Sequence, residues 1–145
     1  MANKIILITR LFDAPPALVF ECWLKPEHLL NWYSAGDGWT TPHAHSDGVP
    51  GGRFNIGFQG PDGKTGFDFT GTYDEVTPPA KGKPGRLVFS SDDKRTMTVE
   101  FADQGGKTLL TLHLELENVY PEEQQRHGWS AMLENLNTYL ERKAP

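Results

Sequence analysis

The chain has 145 residues, a formal net charge of −5 and a single cysteine, Cys22. The acidic balance argues against nonspecific nucleic-acid binding, which requires a basic surface. One cysteine excludes an internal disulfide, and no apolar segment has the length of a membrane span. We therefore expect one domain over residues 1–145, located in the cytoplasm, with no nucleic-acid partner and no integral membrane association.

The first part of the chain predicts a strand followed by two short helices. Residues 4–12 are rich in Ile, Leu and Phe, which is typical of a strand. Asp13-Ala14-Pro15-Pro16 ends this strand and can start a helix, because proline is tolerated in a first helical turn. Pro26 ends that helix and can begin the second one, with Glu27 near its positive end.

The middle of the chain alternates between strands and turns. Residues 38–46 look extended, and residues 53–58 and 67–73 alternate apolar with polar side chains, the period of a half-buried strand. Val49-Pro50-Gly51-Gly52 fits a type II turn, because proline stands second and glycine third. Further turn signals lie at Gly60-Pro61-Asp62-Gly63, at residues 77–85, at Asp92-Asp93 and at Gln104-Gly105-Gly106.

The last strand and the last helix have the clearest patterns. Leu110, Leu112, Leu114 and Leu116 share one face of a strand. Residues 120–142 then have apolar side chains at helical spacing, and a helix here would pack on the preceding strands. The order is a strand, two helices, about six more strands and a long helix, and short turns predict antiparallel pairing.

This order, together with a series of short motifs, resembles a known family. The motifs are Arg10–Pro15, Val19-Phe20, Pro26–Tyr33, Asp47–Gly52, Pro61–Gly63, Gly71–Tyr73 and Gly128-Trp129. By these motifs the chain is similar to the SRPBCC superfamily (START-like or Bet v-like) and, within it, to the group homologous to the activator of heat-shock protein 90 ATPase. The resemblance implies an α+β helix-grip fold, in which a curved antiparallel sheet of six to seven strands wraps around a long C-terminal helix, with two short helices after the first strand.

The resemblance also implies a hydrophobic cavity between the sheet and the closing helix. Relatives bind lipids, sterols, polyketides or other apolar small molecules, and some catalyse cyclisation or hydrolysis. Family members often have a proline shortly after the paired aromatics, where this chain has Ser34-Ala35-Gly36, so we expect a different cavity mouth. The eukaryotic chaperone activators carry a separate chaperone-binding domain, for which we expect no room here.

Eleven apolar side chains are candidates for contacting a ligand in this cavity, because their patterns place them on inward faces. Small-molecule sites have apolar walls with few polar groups. The alternative is a filled core, and any one of these residues taken alone fits the core better than a ligand contact. Gly128 within the helix favours close packing against a strand over a bend that opens the cavity. The candidates are Trp32, Trp39, Phe54, Phe67, Phe69, Met97, Phe101, Trp129, Met132, Leu133 and Leu136.

No motif predicts a catalytic, cofactor or metal site. His43 and His45 alternate before Asp47, but a metal needs three or four ligands in fixed geometry, so we interpret them as a solvated strand face. Asp68 and Glu100 alternate with the inward aromatics and should point away from the cavity. No Ser-His-Asp order, zinc spacing or phosphate-binding glycine loop is present.

Three functions remain open from the sequence. The first is binding of a small hydrophobic or amphipathic molecule, such as a lipid, without catalysis. The second is a cyclase or hydrolase acting on a polyketide-like or aromatic substrate. The third is a co-chaperone-like activator of heat-shock protein 90 ATPase, which would need an exposed patch on the sheet exterior. Both a monomer and a homodimer are compatible with the sequence.

Overall fold

The computed structural model describes residues 4–34, 38–117 and 120–143. The expected difference at Ala35 and Gly36 lies outside these residues. Within them, the elements follow in the predicted order, with seven strands, two short helices and one long helix. They are β1 (Ile5–Phe12), α1 (Pro16–Leu24), α2 (Pro26–Leu29), β2 (Ala44–Ser46), β3 (Arg53–Gln59), β4 (Gly66–Thr77), β5 (Gly85–Ser91), β6 (Thr96–Gln104), β7 (Lys107–Glu115) and α3 (Glu122–Lys143).

The seven strands form one curved antiparallel sheet in the order β1-β7-β6-β5-β4-β3-β2. From β2 to β7 each strand pairs with the next in sequence, as short turns require. The first strand, β1, pairs with β7 at one edge of the sheet, where Ile8 lies opposite Leu112. This arrangement confirms the predicted α+β fold. The extended segment predicted over 38–46 contributes the three-residue strand β2 and a single bridge between Thr40 and Gln59 of β3.

The core lies on the concave face of the sheet, where alternate strand residues point inward. The short helix α1 covers one part of this face, and its Phe20 ring meets Phe101 edge-on at 5.2 Å between centroids. Trp23 contacts the same ring at 6.3 Å. The side chains that are completely buried include Leu87, Met97, Val99, Phe101, Leu110, Leu112 and Leu114 on the strands and Leu136 on α3.

The predicted turn at residues 49–52 is present. Gly51 has a φ of 81°, which is the left-handed conformation required of the third residue in a type II turn. The Gly52 N–H donates to the Val49 carbonyl over 2.9 Å and closes the turn. Local residue choice therefore determines this connection between β2 and β3.

Polar contacts tie the long helix to the elements around it. Arg10 of β1 pairs with Glu134 at 2.6 Å, and the Asn135 side-chain amide donates to the Ser34 carbonyl over 3.0 Å. The His28 ring of α2 contacts the Tyr139 hydroxyl at 2.6 Å. These contacts link the second half of α3 to β1, to α2 and to the segment that follows α2.

Thr108 provides a test of the buried polar contacts. Its hydroxyl is fully buried and donates over 2.7 Å to the Ala14 carbonyl, between β7 and the start of α1. Thr108→Val should leave that carbonyl without its donor and lower the free energy of unfolding by about 1–3 kcal/mol. Thr111→Val, on the outward side of the same strand, should change it by less than about 0.5 kcal/mol. Chemical denaturation checks both values. Equal effects of the two substitutions would contradict the conclusion that the Thr108–Ala14 hydrogen bond stabilises the fold.

The β3–β4 turn predicts a specific response to acid. Both Asp62 carboxylate oxygens accept hydrogen bonds from Thr65, and Lys64 N–H donates as well. These bonds lower the pKa of Asp62 to about 2. Because an unfolded aspartate has a pKa of about 3.9, this stabilisation is complete above that pH and is lost as the pH falls through about 2.

The carboxyl carbon resonance of Asp62 should therefore titrate near pH 2 by NMR. Thr65→Val removes the hydrogen bond from the Thr65 hydroxyl, which lowers the pKa of Asp62 most, and should therefore raise that pKa toward its usual value. A titration near pH 3.9 in the unsubstituted protein would show that the turn does not hold this carboxylate.

Candidate ligand-binding cavity

An open cavity of about 210 Å³ lies between the first half of α3 and the concave side of strands β3 and β4. Its walls are mainly aromatic. Three polar or charged side chains also reach it from the β5–β6 turn and from α3, namely Arg95, Gln124 and Gln125. The remaining lining residues are Tyr33, Phe58, Phe67, Phe69, Tyr120, Gly128, Trp129 and Met132.

Gly128 explains why this end of the helix does not fill the space beneath it. A Cβ atom built on Gly128 would meet no atom of another element within 4 Å. The prediction that this glycine packs closely against a strand is therefore wrong, because the strand opposite is separated from it by the cavity. One turn later, Met132 and Leu133 are buried. The helix is thus in contact with the core from Met132 onward and stands over a gap at Gly128.

The aromatic walls are ordered by ring contacts. The Phe58 and Phe67 rings on neighbouring strands stack with centroids 4.9 Å apart and an angle of 5° between planes. Tyr33 stacks with Phe69 at 6.4 Å and meets Trp129 edge-on at 6.3 Å. Because each ring supports the next, the walls present flat apolar surfaces in fixed orientations.

The rim of the cavity is exposed and aromatic. Phe67 and Tyr120 are each 55% exposed. Trp39 packs beside Phe67 with 6.2 Å between ring centroids. Exposed aromatic side chains at a cavity mouth offer apolar contact to a molecule that enters it.

Tyr33 is a neutral polar group in the wall. Burial raises the pKa of its phenol well above 10, the nearby Tyr73 raises it further, and the positive charge of Arg95 partly opposes both effects. At neutral pH the hydroxyl keeps its proton and can donate a hydrogen bond.

Arg95 is the charged group in the wall, and its side chain is only 15% exposed. Its Nε–H donates to the two carboxylate oxygens of Asp93 at 3.0 and 2.9 Å. Burial raises the pKa of Asp93, but hydrogen bonds from Ser91 and Arg95 and the charge of Arg95 lower it overall. The pair is therefore ionised and holds the guanidinium against the cavity.

The β5–β6 turn fixes this position. Lys94 has a φ of 75°, and its N–H donates to the Ser91 carbonyl over 2.9 Å. Ser91 N–H in turn donates to the Arg95 carbonyl over 2.9 Å. Asp92 anchors the outside of the turn by a two-oxygen contact with Arg53 at 2.8 Å. The turn thus places Arg95 inward and Asp92 outward.

A larger depression of about 630 Å³, here called the outer groove, adjoins the cavity mouth. It shares with the cavity the residues Phe67, Phe69, Arg95, Tyr120, Gln125 and Trp129. Its additional lining residues carry four carboxylates, Asp68, Asp92, Asp93 and Glu117. The outer groove therefore has an acidic margin around an aromatic entrance.

The structure brings four of the eleven predicted ligand contacts to the cavity wall: Phe67, Phe69, Trp129 and Met132. Trp39 lies next to the rim. Phe54 borders a separate void of about 10 Å³. The other five, Trp32, Met97, Phe101, Leu133 and Leu136, are buried in the packed core. The Trp32 indole N–H donates instead to the Cys22 carbonyl over 2.9 Å.

Several lining residues were not predicted. The alternation of apolar residues in β3 indicates that Phe58 points inward, and the paired aromatics after α2 indicate the same for Tyr33. Arg95, Tyr120 and Gln125 had no such signal, because their positions depend on a turn and on where α3 begins relative to the sheet.

Within residues 4–34, 38–117 and 120–143, no group of three or more potential ligands could hold a metal ion. His45 contacts Asp47 at 2.9 Å, and His43 contacts Asp68 at 3.3 Å, as separate exposed pairs. No helix in the described part of the chain is long and apolar enough to cross a membrane.

The fold and the cavity define an α+β helix-grip protein with an internal apolar space. The family described as "Activator of Hsp90 ATPase homolog 1-like protein" matches residues 13–141. The chain belongs to this family, which is part of the SRPBCC superfamily. No curated protein matches the chain.

Solved structures agree with this assignment. The AHSA1-like protein from Aeromonas hydrophila is 33% identical, with a TM-score of 0.86 and coverage of 97% of this chain and 94% of that one. A protein from Cytophaga hutchinsonii is 28% identical, with a TM-score of 0.74 and coverage of 97% and 93%. A protein from Chromobacterium violaceum is 24% identical, with a TM-score of 0.79 and coverage of 94% and 96%, and shows the shared fold.

Gly128→Ala tests whether the space beneath the helix is open. Alanine is a better helix former than glycine, and its Cβ would meet no neighbour, so the free energy of unfolding should rise by about 0.5–1 kcal/mol. Chemical denaturation measures this change. A destabilised variant would instead indicate that the helix packs closely at this position.

Proposed function

We propose that this protein binds a small hydrophobic or amphipathic molecule in the cavity between the sheet and α3. The observation that carries the proposal is a cavity of about 210 Å³ with fixed aromatic walls, exposed aromatics at its mouth and two polar side chains, Tyr33 and Arg95, held at its wall. Apolar concave surfaces with a few placed polar groups are characteristic of small-molecule sites.

The cavity volume limits the size of the molecule. A cavity of about 150 Å³ accommodates a single benzene ring, whereas pockets for drug-sized ligands run from about 300 to 1,000 Å³. The present cavity therefore suits one or two fused rings or a short acyl segment. A longer molecule would extend into the outer groove, between Phe67 and Tyr120.

One observation favours a catalytic alternative, a cyclase or hydrolase acting on a polyketide-like or aromatic substrate. Arg95 and Tyr33 could polarise a substrate oxygen, as electrophilic groups do in such reactions. Proton transfer also needs a base within hydrogen-bond reach. Among the described residues that line the cavity, none is a histidine, aspartate or glutamate. Binding without chemistry is therefore the better-supported proposal.

The sheet exterior carries the observation that favours a protein partner. Ile5, Leu7 and Leu11 alternate on the outward side of β1 and are exposed. An exposed apolar stripe can form a protein contact. A chaperone or a second copy of the chain could cover it, and both remain alternatives to a monomer that binds only a small molecule.

Filling the cavity from the helix tests the proposal. The neutral probe 2-ethylnaphthalene should bind the unsubstituted protein, detected by tryptophan fluorescence and by amide shifts of cavity residues. Gly128→Leu places a side chain at the open position and should weaken binding at least about tenfold, because the volume it occupies is no longer available to the probe.

Ser130→Leu is the matched control, because Ser130 is exposed on the same helix. It adds a leucine without entering the cavity and should leave the dissociation constant within about twofold. Absence of binding to the unsubstituted protein, or equal binding by Gly128→Leu, would overturn the proposal. Circular dichroism confirms that each variant is folded.

A further inference from the structure

The guanidinium of Arg95 has hydrogen-bonding capacity that the protein does not use. An arginine carries five N–H donors. In Arg95 only Nε–H is engaged, by Asp93, and neither terminal nitrogen has an acceptor among the described residues. The side chain is mostly buried and lines the cavity. The terminal nitrogens are accessible and not sealed in the core, so their N–H groups can donate to a molecule in the cavity.

Among the described residues, no hydrogen bond joins the terminal nitrogens of Arg95 to the other polar groups of the wall, Tyr33, Gln124 and Gln125. Gln125 is committed to the start of α3, since its amide oxygen accepts from Glu117 N–H over 3.0 Å and its amide nitrogen donates to the Glu117 and Tyr120 carbonyls. The Tyr33 hydroxyl keeps its proton and can donate or accept. The terminal N–H groups of Arg95 can only donate, so a ligand that uses them must bring an acceptor.

The charge around Arg95 distinguishes between acceptors. Its positive charge is already balanced by ionised Asp93, so an added carboxylate would bring a net negative charge into the site. Asp68 and Glu117 on the outer groove would oppose that charge further. A neutral acceptor uses the terminal N–H groups without this repulsion.

We propose that the ligand is a compact aromatic molecule bearing a neutral carbonyl oxygen, which accepts hydrogen bonds from the terminal nitrogens of Arg95. The flat rings of Phe58, Phe69 and Trp129 contact its aromatic part. This inference rests on the proposed function, since it names the chemical class of molecule that the same cavity takes.

Three probes of one ring system test it: 2-acetylnaphthalene with a neutral carbonyl, 2-ethylnaphthalene without an acceptor, and 2-naphthoate with a carboxylate. The ketone should bind about tenfold tighter than the hydrocarbon, the size expected for a hydrogen bond to a charged donor. The carboxylate should bind more weakly than the ketone. A ¹³C label in the acetyl carbonyl should shift downfield in the bound state.

Arg95→Met removes the donors and keeps an apolar side chain of similar length. The affinity for the ketone relative to 2-ethylnaphthalene, both measured in this variant, should fall below about twofold, and the carbonyl shift should be lost. Arg95→Gln, which retains a neutral amide donor, should show an intermediate preference. If Arg95→Met does not fold, the probe comparison in the unsubstituted protein and in Arg95→Gln still decides the question.

Each result has a distinct meaning. Equal binding of ketone and hydrocarbon, or a preference that survives Arg95→Met, overturns the assignment to Arg95 but leaves the apolar cavity function standing. Tighter binding of 2-naphthoate than of the ketone overturns it in favour of an anion site. Failure of all three probes to bind overturns the proposed function itself.

Discussion

The structure depends on the packing of the second half of α3 against the concave face of the sheet. Met132, Leu133, Leu136 and Leu140 are all buried there. At about 1.5–3 kcal/mol for each buried side chain, they contribute roughly 6–12 kcal/mol before the entropy of ordering is subtracted. The polar contacts of Glu134 with Arg10 and of Asn135 with Ser34 add to this packing and orient the helix on the sheet. One helix cannot cover all of a seven-stranded concave sheet, so a gap remains at its other end.

That gap is kept open by a small number of features. Gly128 contributes no side chain to it, and the aromatic rings around it support one another at fixed angles instead of collapsing inward. Interiors otherwise pack to a density of about 0.74, so an unfilled apolar space of this size is an exception within the core. The α1 helix fills the corresponding space at the other end of the sheet with Phe20 and Trp23. The two ends of one core therefore differ, one packed and one open.

The polar groups give the open end its chemical character. Arg95 is brought to the wall by a turn whose hydrogen bonds run through Ser91 and whose outer side is anchored by Asp92 and Arg53. The ion pair with Asp93 satisfies part of the guanidinium and leaves the rest directed at the cavity. An apolar space with a balanced charge pair at its edge favours uncharged molecules with a hydrogen-bond acceptor.

Most of the fold could be predicted from the sequence, because strand alternation, proline and glycine turns and the leucine spacing of α3 are local signals. The type II turn at Gly51 is an example. The site was harder to predict. Phe67 and Met97 have the same kind of inward position in their strands, yet Phe67 lines the cavity and Met97 is fully buried. The difference depends on which part of the sheet the helices cover, and the strand pattern does not contain that information. Gly128 was misread for the same reason, and Arg95 depends on a turn geometry that its neighbours alone do not specify.

The most direct test of the central claim is a crystal structure determined under xenon pressure, since xenon enters apolar cavities without needing polar contacts. The account predicts a xenon atom between Gly128, Phe69 and Trp129, and none at that position in Gly128→Leu. A structure in which the rings of Phe69 and Trp129 close on the helix and leave no room for xenon would contradict it.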